Sequence, residues 1–293
     1  MSKEGFIAVD WGTTNRRAYL IAPDGRVIDE MEDASGVTSV AEGAFPAAIA
    51  QITERLGHAP MLLAGMIGSS RGWREVPYVA CPARVEDVVA GVQWIEQGQV
   101  GIVPGLSIVE GDTGDVMRGE EVQVFGLLRR EGITDCAICH PGTHTKWIQV
   151  TGGAVTRFRT AMTGEMFALL REHSILAPLL GREPVVGGAF CRGVACGQAA
   201  SSLSAELFGI RAKVLLSLLA EDDAASFASG LLIGCDVKAA PAGFFDREVI
   251  VLGRPSLTLL YAEALRHCGA RVRQIDGADA FVSGMIAIKE AAE

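Results

Sequence analysis

The chain opens with three short hydrophobic runs separated by polar turns. An apolar run at 6–9 ends on Asp10, a second run spans 16–21, and a third spans 26–30. Glycine, hydroxyl and proline residues fill the two intervals, and these residue types favour turns between strands. The pattern predicts a three-stranded meander in which Asp10 closes the first strand.

The same order recurs in the middle of the chain. Predicted strands at 135–140, 146–150 and 154–160 are separated by a Pro-Gly-Thr-His-Thr turn and by a Thr-Gly-Gly turn. In both places a Gly-Thr turn follows the first strand, and a cation, Arg16 or Lys146, comes shortly after it. Such an internal repeat indicates two domains built alike.

The rest of the pattern alternates helices with strands, which is typical of an α/β fold. Helical spacing occurs at 46–56, 85–90, 163–180, 203–219, 257–267 and 278–290, with further helices from about 118 and 222, and short strands are expected at 61–64, 100–103, 106–109, 248–252 and 272–275. The Gly-Asp-Thr-Gly-Asp run at 111–115 is the strongest linker signal. We therefore expect a first domain at 1–115 and a second at 116–293, with the last helix free to pack back on the first.

Composition narrows the class of protein. Of the 293 residues, 49% are hydrophobic, and the net charge of −9 argues against binding to nucleic acids or anionic membranes. No apolar run reaches about 18 residues and no secretory leader pattern opens the sequence, so a cytoplasmic protein is expected. Cys136 and Cys139 form a C-x-x-C, but residues three apart on a strand face opposite sides, so joint metal binding is not expected.

The first Gly-Thr turn, residues 12–15, carries the chemistry of an anion site. Glycine lets the backbone approach a ligand, while N–H groups and the hydroxyls of Thr13 and Thr14 can bind phosphate oxygens. A carboxylate such as Asp10 on the preceding strand can hold Mg²⁺. The alternative is an edge hairpin with a polar turn. The second turn, residues 142–144, repeats these groups, so the two turns could hold one polyphosphate between two domains.

Three glycines in the second half of the chain could lie beside a bound nucleotide. Gly230 and Gly234 stand four apart on a predicted helix and leave one face bare. That face permits either close helix packing or room for a flat ligand such as adenine. Gly253 lies between a predicted strand and a helix, where nucleotides commonly bind.

A series of motifs, in order along the chain, resembles one known family. The motifs are Asp10-Trp-Gly-Thr-Thr-Asn15, Ala64-Gly-Met-Ile-Gly68, Val116-Met-Arg-Gly-Glu-Glu121, Pro141-Gly-Thr-His-Thr-Lys-Trp147, Met162-Thr-Gly-Glu165, Ser229-Gly-Leu-Leu-Ile-Gly234 and Asp279-Ala-Phe281. They resemble the 2-dehydro-3-deoxygalactonokinase family of the actin, Hsp70 and sugar-kinase superfamily over essentially the whole chain. One departure is Arg71, which stands where a neutral residue is expected.

The resemblance implies two ribonuclease H-like αβ domains with ATP in the cleft between them. It further implies Mg²⁺-dependent phosphorylation of the 6-hydroxyl group of 2-dehydro-3-deoxy-D-galactonate by ATP, in galactonate breakdown. On this basis Asp10 is expected to hold Mg²⁺ through water. The expected nucleotide contacts are Gly12, Thr13, Thr14, Gly142, Thr143, His144, Lys146, Gly234 and Gly253.

The resemblance also places the general base on a carboxylate at the start of the helix near residue 118. Glu120 and Glu121 are the candidates, with Glu120 favoured, and the alternative is a capping pair on an exposed helix start. The substrate carboxylate calls for an arginine. The candidates are Arg17, Arg71, Arg74 and Arg118, with Arg71 and Arg17 ahead, and Asn15, Ser69 and Trp73 are expected to contact the sugar. The partners are expected to be small molecules, with a homodimer as the assembly.

The sequence is also compatible with three rival functions. One is a kinase for a related sugar or sugar acid, including the gluconate-derived epimer. Another is an ATP-switched binding module of the same fold. A third is an esterase, because Gly68-Ser69-Ser70-Arg71-Gly72 fits G-x-S-x-G, with Ser70 as nucleophile and His140 or His267 as base.

Overall fold

The structure, a computed structural model, describes residues 5–292. These residues form two compact units. The first contains the described residues up to Asp135, together with Val150–Arg157 and those from Gly277 onward. The second contains Cys136–Gln149 and Phe158–Asp276. The first four residues and the last residue of the predicted domains lie outside the described part of the chain.

The elements before residue 135 follow the predicted meander and then alternate. They are β1 (Phe6–Trp11), β2 (Arg16–Ile21), β3 (Val27–Asp33), α1 (Phe45–Leu56), β4 (Met61–Gly65), β5 (Val79–Ala80), α2 (Val85–Ala90), β6 (Gln93–Glu96), β7 (Val100–Ile102), β8 (Leu106–Glu110), β9 (Thr113–Met117) and α3 (Glu120–Glu131).

The elements after residue 135 begin with a second meander. They are β10 (Cys136–His140), β11 (Thr145–Thr151), β12 (Ala154–Ala161), α4 (Thr163–His173), α5 (Gly188–Ala199), α6 (Leu203–Leu215), α7 (Ala224–Lys238), β13 (Val249–Gly253), α8 (Pro255–His267), β14 (Val272–Asp276) and α9 (Gly277–Ala291). Among the described residues, every helix is too short or too polar to span a bilayer.

The two large sheets are built on one plan. The first has the order β3-β2-β1-β4-β7-β6, and the second has the order β12-β11-β10-β13-β14. In each, the first strand of the meander also pairs in parallel with a later strand, β1 with β4 and β10 with β13. The predicted α/β class and the internal repeat are therefore confirmed.

Burial explains why the first strand of each meander lies inside its sheet. Along β1 the residues Ile7, Ala8 and Val9 are completely buried. Such a continuous apolar run suits a strand covered on both faces. The helix α1 buries one stripe, Phe45, Ala48, Ile52 and Leu56, because these residues recur at helical spacing. The polar turn after β1 is thereby carried on a rigid, packed strand.

The predicted linker at 111–115 is instead part of a β-hairpin. Glu110 pairs with Thr113 across the turn between β8 and β9, and Gly111 has a φ of +63° there. Glycine and aspartate favour tight turns as much as linkers, so the local sequence does not separate the two. The division into units falls after Asp135, not at 115.

Close packing of two helices explains why α3 belongs with the first unit. A side chain at Gly126 would collide with the carbonyl of Ala280, and one at Gly284 would collide with the carbonyl of Val122. The backbones of α3 and α9 therefore touch at two glycines. The last helix, α9, also contacts α2 and β1, which ties both helices to the first unit.

Candidate active site

The first turn is closed and held by the protein's own backbone. The N–H of Gly12 donates to the carbonyl of Asn15 at 2.9 Å, while Thr13 and Thr14 are exposed. The segment 36–38 donates N–H groups to the carbonyls of Thr14, Gly12 and Thr13 at 3.0, 3.0 and 3.2 Å. These carbonyls accept hydrogen bonds within the protein, and the turn presents Thr13 and Thr14 to solvent. The exposure of both threonines is compatible with the predicted anion site.

Asp10, the end of β4 and the start of α3 meet at Gly65. A Cβ at Gly65 would lie 3.5 Å from Asp10 Oδ1 and 2.8 Å from the carbonyl of Trp11. Gly65 also has a φ of +89°, which favours glycine. A Cβ at Gly119 would lie 3.3 Å from the Cα of Gly65. Since neither glycine carries a side chain, the start of α3 approaches the Asp10 carboxylate.

Glu120 and Glu121 begin α3 in different environments. Glu120 is partly exposed, and its Oε2 accepts the N–H of Arg118 at 3.0 Å. Glu121 is completely buried, and both of its carboxylate oxygens accept the N–H of Gly119, at 2.7 and 2.9 Å. Burial raises the pKa of Glu121 to about 8, and the neighbouring charge of Glu120 adds to the rise. The accessible carboxylate of the pair is Glu120.

Arg118 joins the loop after β4 to the start of α3. Its Nη2 donates to the carbonyl of Val76 at 2.7 Å, and its guanidinium lies 4.3 Å from the ring centre of Tyr78. A Cβ at Gly68 would lie 2.7 Å from Arg118 Nη1, so the loop passes directly over the guanidinium. Nε and Nη1 are buried without a hydrogen-bond partner among the described residues. The contacts assign Arg118 to holding this loop.

Arg17 lies beside Asp10 but is bound to another acid. The two residues are paired across β1 and β2. Arg17 Nη2 donates to Glu32 Oε1 at 2.8 Å, and this hydrogen bond raises the pKa of Arg17. The preceding cation, Arg16, is 1% exposed and donates to Asp33 and to the carbonyl of Ala48, so it points into the core.

The loop after β4 carries the remaining predicted sugar contacts. Ser69 Oγ donates to the carbonyl of Met66 at 2.7 Å and accepts the N–H of Arg71 at 3.3 Å. The Arg71 side chain is exposed, as is that of Arg74. Trp73 is half-buried and stacks on Phe45, with ring centres 6.4 Å apart. The loop therefore presents two of the predicted anion ligands, Arg71 and Arg74, to solvent.

The same loop does not have the geometry of an esterase nucleophile. Such a serine stands on a turn that leads from a strand directly into a helix. After β4 the chain makes a short 3₁₀ turn at Met66–Gly68, and the next α-helix of the described chain begins at Val85. Ser70 is on an exposed bend between them. The local structure argues against the esterase alternative.

The second turn is held against the start of α4. The N–H of Glu165 donates to the carbonyl of Thr143 at 2.9 Å, and a side chain at Gly164 would collide with the carbonyl of Gly142. His144 Nε2 lies 2.6 Å from Glu165 Oε2. Thr143 and His144 are exposed, as an anion site requires.

Gly253, a predicted nucleotide contact, lies next to the second turn. A Cβ there would be 3.3 Å from the carbonyl of Pro141, and its φ is +153°. The parallel pairing of β10 with β13 brings the two strand ends together. The predicted contribution of Lys146 needs correction, because this residue is 5% exposed and its Nζ donates to Thr160 Oγ1 at 2.8 Å.

Gly234 is placed for helix packing and not for a ligand. A side chain there would collide with the carbonyl of Val194 on α5, and one at Gly230 would collide with the carbonyl of Phe190. The bare face of α7 is thus covered by α5, a helix that the sequence did not predict. Close packing of two helices therefore accounts for this pair of glycines, and room for an adenine ring does not.

A buried acid in the second unit escaped the sequence reasoning. Asp236 on α7 is 6% exposed and accepts hydrogen bonds from Trp147 Nε1, Thr163 Oγ1 and the hydroxyl of Tyr261, each at 2.7 Å. The only available signal was a single aspartate in an apolar helix. Nothing in the local sequence identified its partners.

Comparison with known proteins identifies the chain's relatives. A family model described as 2-keto-3-deoxy-galactonokinase matches residues 10–288. The chain is 35% identical to a 2-dehydro-3-deoxygalactonokinase of Escherichia coli (strain K12), over 98% of each chain. The prefixes keto and dehydro denote the same oxo group, so these two matches name one activity.

Two solved structures are similar along nearly the full length. One is a candidate 2-dehydro-3-deoxygalactonokinase from Sinorhizobium meliloti, with a TM-score of 0.91 and 33% identity over 98% of each chain. The other is component A of an (R)-2-hydroxyglutaryl-CoA dehydratase from Acidaminococcus fermentans, with a TM-score of 0.52 and 12% identity over 99% of this chain and 100% of the other. The second likeness concerns the fold alone. The predicted α/β fold is confirmed.

Proposed function

The chain belongs to the 2-keto-3-deoxy-galactonokinase family, and from that premise we propose that it transfers the γ-phosphoryl group of ATP to the 6-hydroxyl group of 2-dehydro-3-deoxy-D-galactonate. It is a sugar-acid kinase of galactonate catabolism. The observation that supports the proposed site is the meeting of Asp10, Gly65 and the start of α3 within the first unit. The start of α3, which carries Glu120, then lies close to the strand end that carries Asp10, as the proposed phosphoryl transfer requires.

The first turn and Asp10 suit phosphates and their metal ion. Kinases hold Mg²⁺ with one or two carboxylates, several waters and the phosphates themselves. The Asp10 carboxylate, beside Gly65, fits that requirement. Bound Mg²⁺ neutralises charge on the β- and γ-phosphates. Thr13 and Thr14 supply donors to the same oxygens, and Gly12, which has no side chain, lets the backbone approach them.

The second turn supplies the corresponding donors of the second unit. Gly142, Thr143 and His144 belong to this proposed phosphate contact, and Gly253 lies beside it. Glu165 holds the imidazole of His144 at 2.6 Å and thereby limits its rotation. Preorganised donors contribute more than mobile ones, because they need not reorganise during the reaction.

Glu120 is the proposed general base. It accepts the proton of the 6-hydroxyl group while that oxygen forms a bond to the γ-phosphorus. The bond between this phosphorus and the bridging oxygen of the β-phosphate breaks, and ADP leaves with the electron pair. Glu121 cannot take this role without leaving its buried contact with Gly119.

Arg71 is the proposed ligand of the substrate carboxylate. Of the two candidates that the sequence favours, Arg17 already binds Glu32, whereas Arg71 is exposed on the loop that Arg118 holds. A guanidinium binds a carboxylate through two parallel hydrogen bonds. Asn15, Ser69 and Trp73 are the proposed neighbours of the sugar.

The test is an ADP-release assay with Mg–ATP and a panel of acceptors. The panel contains 2-dehydro-3-deoxygalactonate, its gluconate-derived epimer, plain hexoses and no sugar. Turnover that strongly favours the first acceptor supports the proposal. Equal use of the epimer would widen the substrate class to the first alternative. ATP hydrolysis indifferent to every sugar would overturn the kinase and leave the ATP-switched binding module.

A further inference from the structure

The buried carboxylate of Asp236 connects four elements of the second unit. Its Oδ1 accepts from Trp147 on β11, and its Oδ2 accepts from both Thr163 on α4 and Tyr261 on α8. A buried carboxylate is costly unless its oxygens are hydrogen-bonded. Three donors from three other elements meet this requirement. The position of Asp236 therefore fixes the positions of all three partners.

One path runs from Asp236 to the residue that follows the second turn. Thr145 Oγ1 lies 2.6 Å from the hydroxyl of Tyr261. Tyr261 has a single hydroxyl hydrogen and gives it to Asp236, so Thr145 is the donor in this pair. Thr145 is completely buried and begins β11 directly after His144. The end of the second turn is thus fixed through Tyr261.

Another path runs from Asp236 to the other side of the same turn. Thr163 is the first residue of α4, and two residues later the N–H of Glu165 donates to the carbonyl of Thr143. That carbonyl shares a planar trans peptide unit with the N–H of His144, so this N–H points away from α4. The hydrogen bond of Thr163 to Asp236 therefore helps to decide where the N–H of His144 points.

We propose that Asp236 is a positioning residue for ATP, which holds the second turn from both sides through Thr145 and Thr163. The inference rests on the proposed function in one respect only, which is that the second turn binds the phosphate groups of ATP. In this proposal Asp236 acts through its hydrogen-bonded partners and not by contact with either substrate. Its effect is exerted on the affinity for ATP and not on the affinity for the sugar acid.

The test measures the Kd of Mg–ATP by calorimetry without sugar, and KM for both substrates. Asp236→Asn replaces one acceptor oxygen by an amide donor, so it cannot accept all three hydrogen bonds. We expect the Kd of ATP to rise about tenfold or more, with KM for the sugar acid changed less than twofold. Thr163→Val and Tyr261→Phe keep the size of the side chain and break one path each, so each should raise the Kd of ATP by a smaller factor. They keep the test decisive if Asp236→Asn does not fold.

Ser226→Ala, also on α7, is the matched control. It removes a buried hydroxyl that accepts the N–H of Val185, a contact that leads to neither side of the second turn, and should lower Tm while the Kd of ATP stays within twofold. An unchanged Kd in folded Thr163→Val and Tyr261→Phe would overturn the proposal, as would an equal loss of ATP affinity in Ser226→Ala. If the wild-type chain itself bound no ATP, the proposed function would fall as well. ATP affinity that changes as expected in a chain without sugar-acid turnover would leave Asp236 supported and the substrate wrong.

Discussion

Glu120 and Glu121 are adjacent at the start of α3, yet only one carboxylate is accessible. Glu121 is completely buried on the N–H of Gly119, whereas Glu120 is partly exposed and accepts the N–H of Arg118. Successive residues of a helix point about 100° apart, so a helix start can turn one acid inward and its neighbour outward. This difference in burial gives different roles to two adjacent residues of the same type.

Glu120→Gln should lower kcat by about 10²–10⁴-fold, because a positioned general base contributes that much to proton transfer. KM for ATP should change little, since the proposed contact is with the sugar hydroxyl. Steady-state kinetics with both substrates check this. Glu121→Gln is the matched control and should retain kcat within about tenfold. The reverse pattern would assign the base to Glu121.

Glu121→Gln should instead change how stability depends on pH. Burial raises the pKa of Glu121 from 4.5 to about 8, so the folded state holds a proton that the unfolded state loses. Its contribution to stability is complete below pH 4.5 and is lost as pH rises to about 8. The free energy of unfolding should fall more over this range in the wild type than in Glu121→Gln.

Urea unfolding at several pH values measures this difference. Glu86→Gln, at an exposed position of α2, controls for the loss of one carboxyl group. Parallel pH curves for wild type and Glu121→Gln would show that the buried carboxyl does not stay protonated.

Asp10→Asn should raise the Mg²⁺ concentration needed for half-maximal activity. The amide keeps the size of the side chain but removes the charge proposed to hold the ion, and metal ions supply several kcal/mol of transition-state stabilisation. We expect kcat/KM to fall by roughly a hundredfold or more. Activity titrated with Mg²⁺ at fixed ATP measures the effect. Asp24→Asn, in the turn between β2 and β3, should behave as wild type, and a normal Mg²⁺ requirement in Asp10→Asn would remove Asp10 from the metal site.

Arg71→Ala should raise KM for the sugar acid while KM for ATP stays constant. Hydrogen bonds to a charged group contribute about 1.5–3 kcal/mol, which corresponds to about tenfold to a hundredfold in KM. Arg71→Lys should recover part of the loss, because it keeps the charge and loses the two-pronged geometry. Arg17→Ala is the control. A larger effect at Arg17 would mean that Glu32 yields this arginine to the substrate.

Gly234→Ala should destabilise the protein without changing KM for ATP. The added methyl group would meet the backbone of α5 at Val194, and overpacking of this kind costs about 1–3 kcal/mol. Gly181→Ala is the control, because a Cβ there meets no atom within 4 Å. Thermal unfolding measures the change in stability, and steady-state kinetics measure KM for ATP. Impaired ATP binding at unchanged Tm would restore the adenine alternative.

Local signals were sufficient for most strands and for the turns. The two meanders follow from apolar runs bounded by glycine and hydroxyl residues, which act over a few positions. The linker prediction at 111–115 was wrong because a tight hairpin turn can have the same local composition as a linker. The sequence did not predict helix α5, which contains three glycines, a residue type that disfavours helices. Its close packing against α7 stabilises it, since side chains at Gly193 and Gly197 would collide with the backbone of α7.

The sequence by itself determined the repeat, the two Gly-Thr turns and the acids at Asp10 and Glu120–Glu121, since each is a short motif with its own chemistry. Only the tertiary structure decided which glutamate is buried, that Arg17 is bound to Glu32, and that Gly234 packs against a helix. It alone also joined Arg118 to Val76, 42 positions away, and Asp236 to Trp147, 89 positions away. Burial and hydrogen bonding depend on neighbours in space. Residues that are this far apart in sequence form no short motif from which their contact could be predicted.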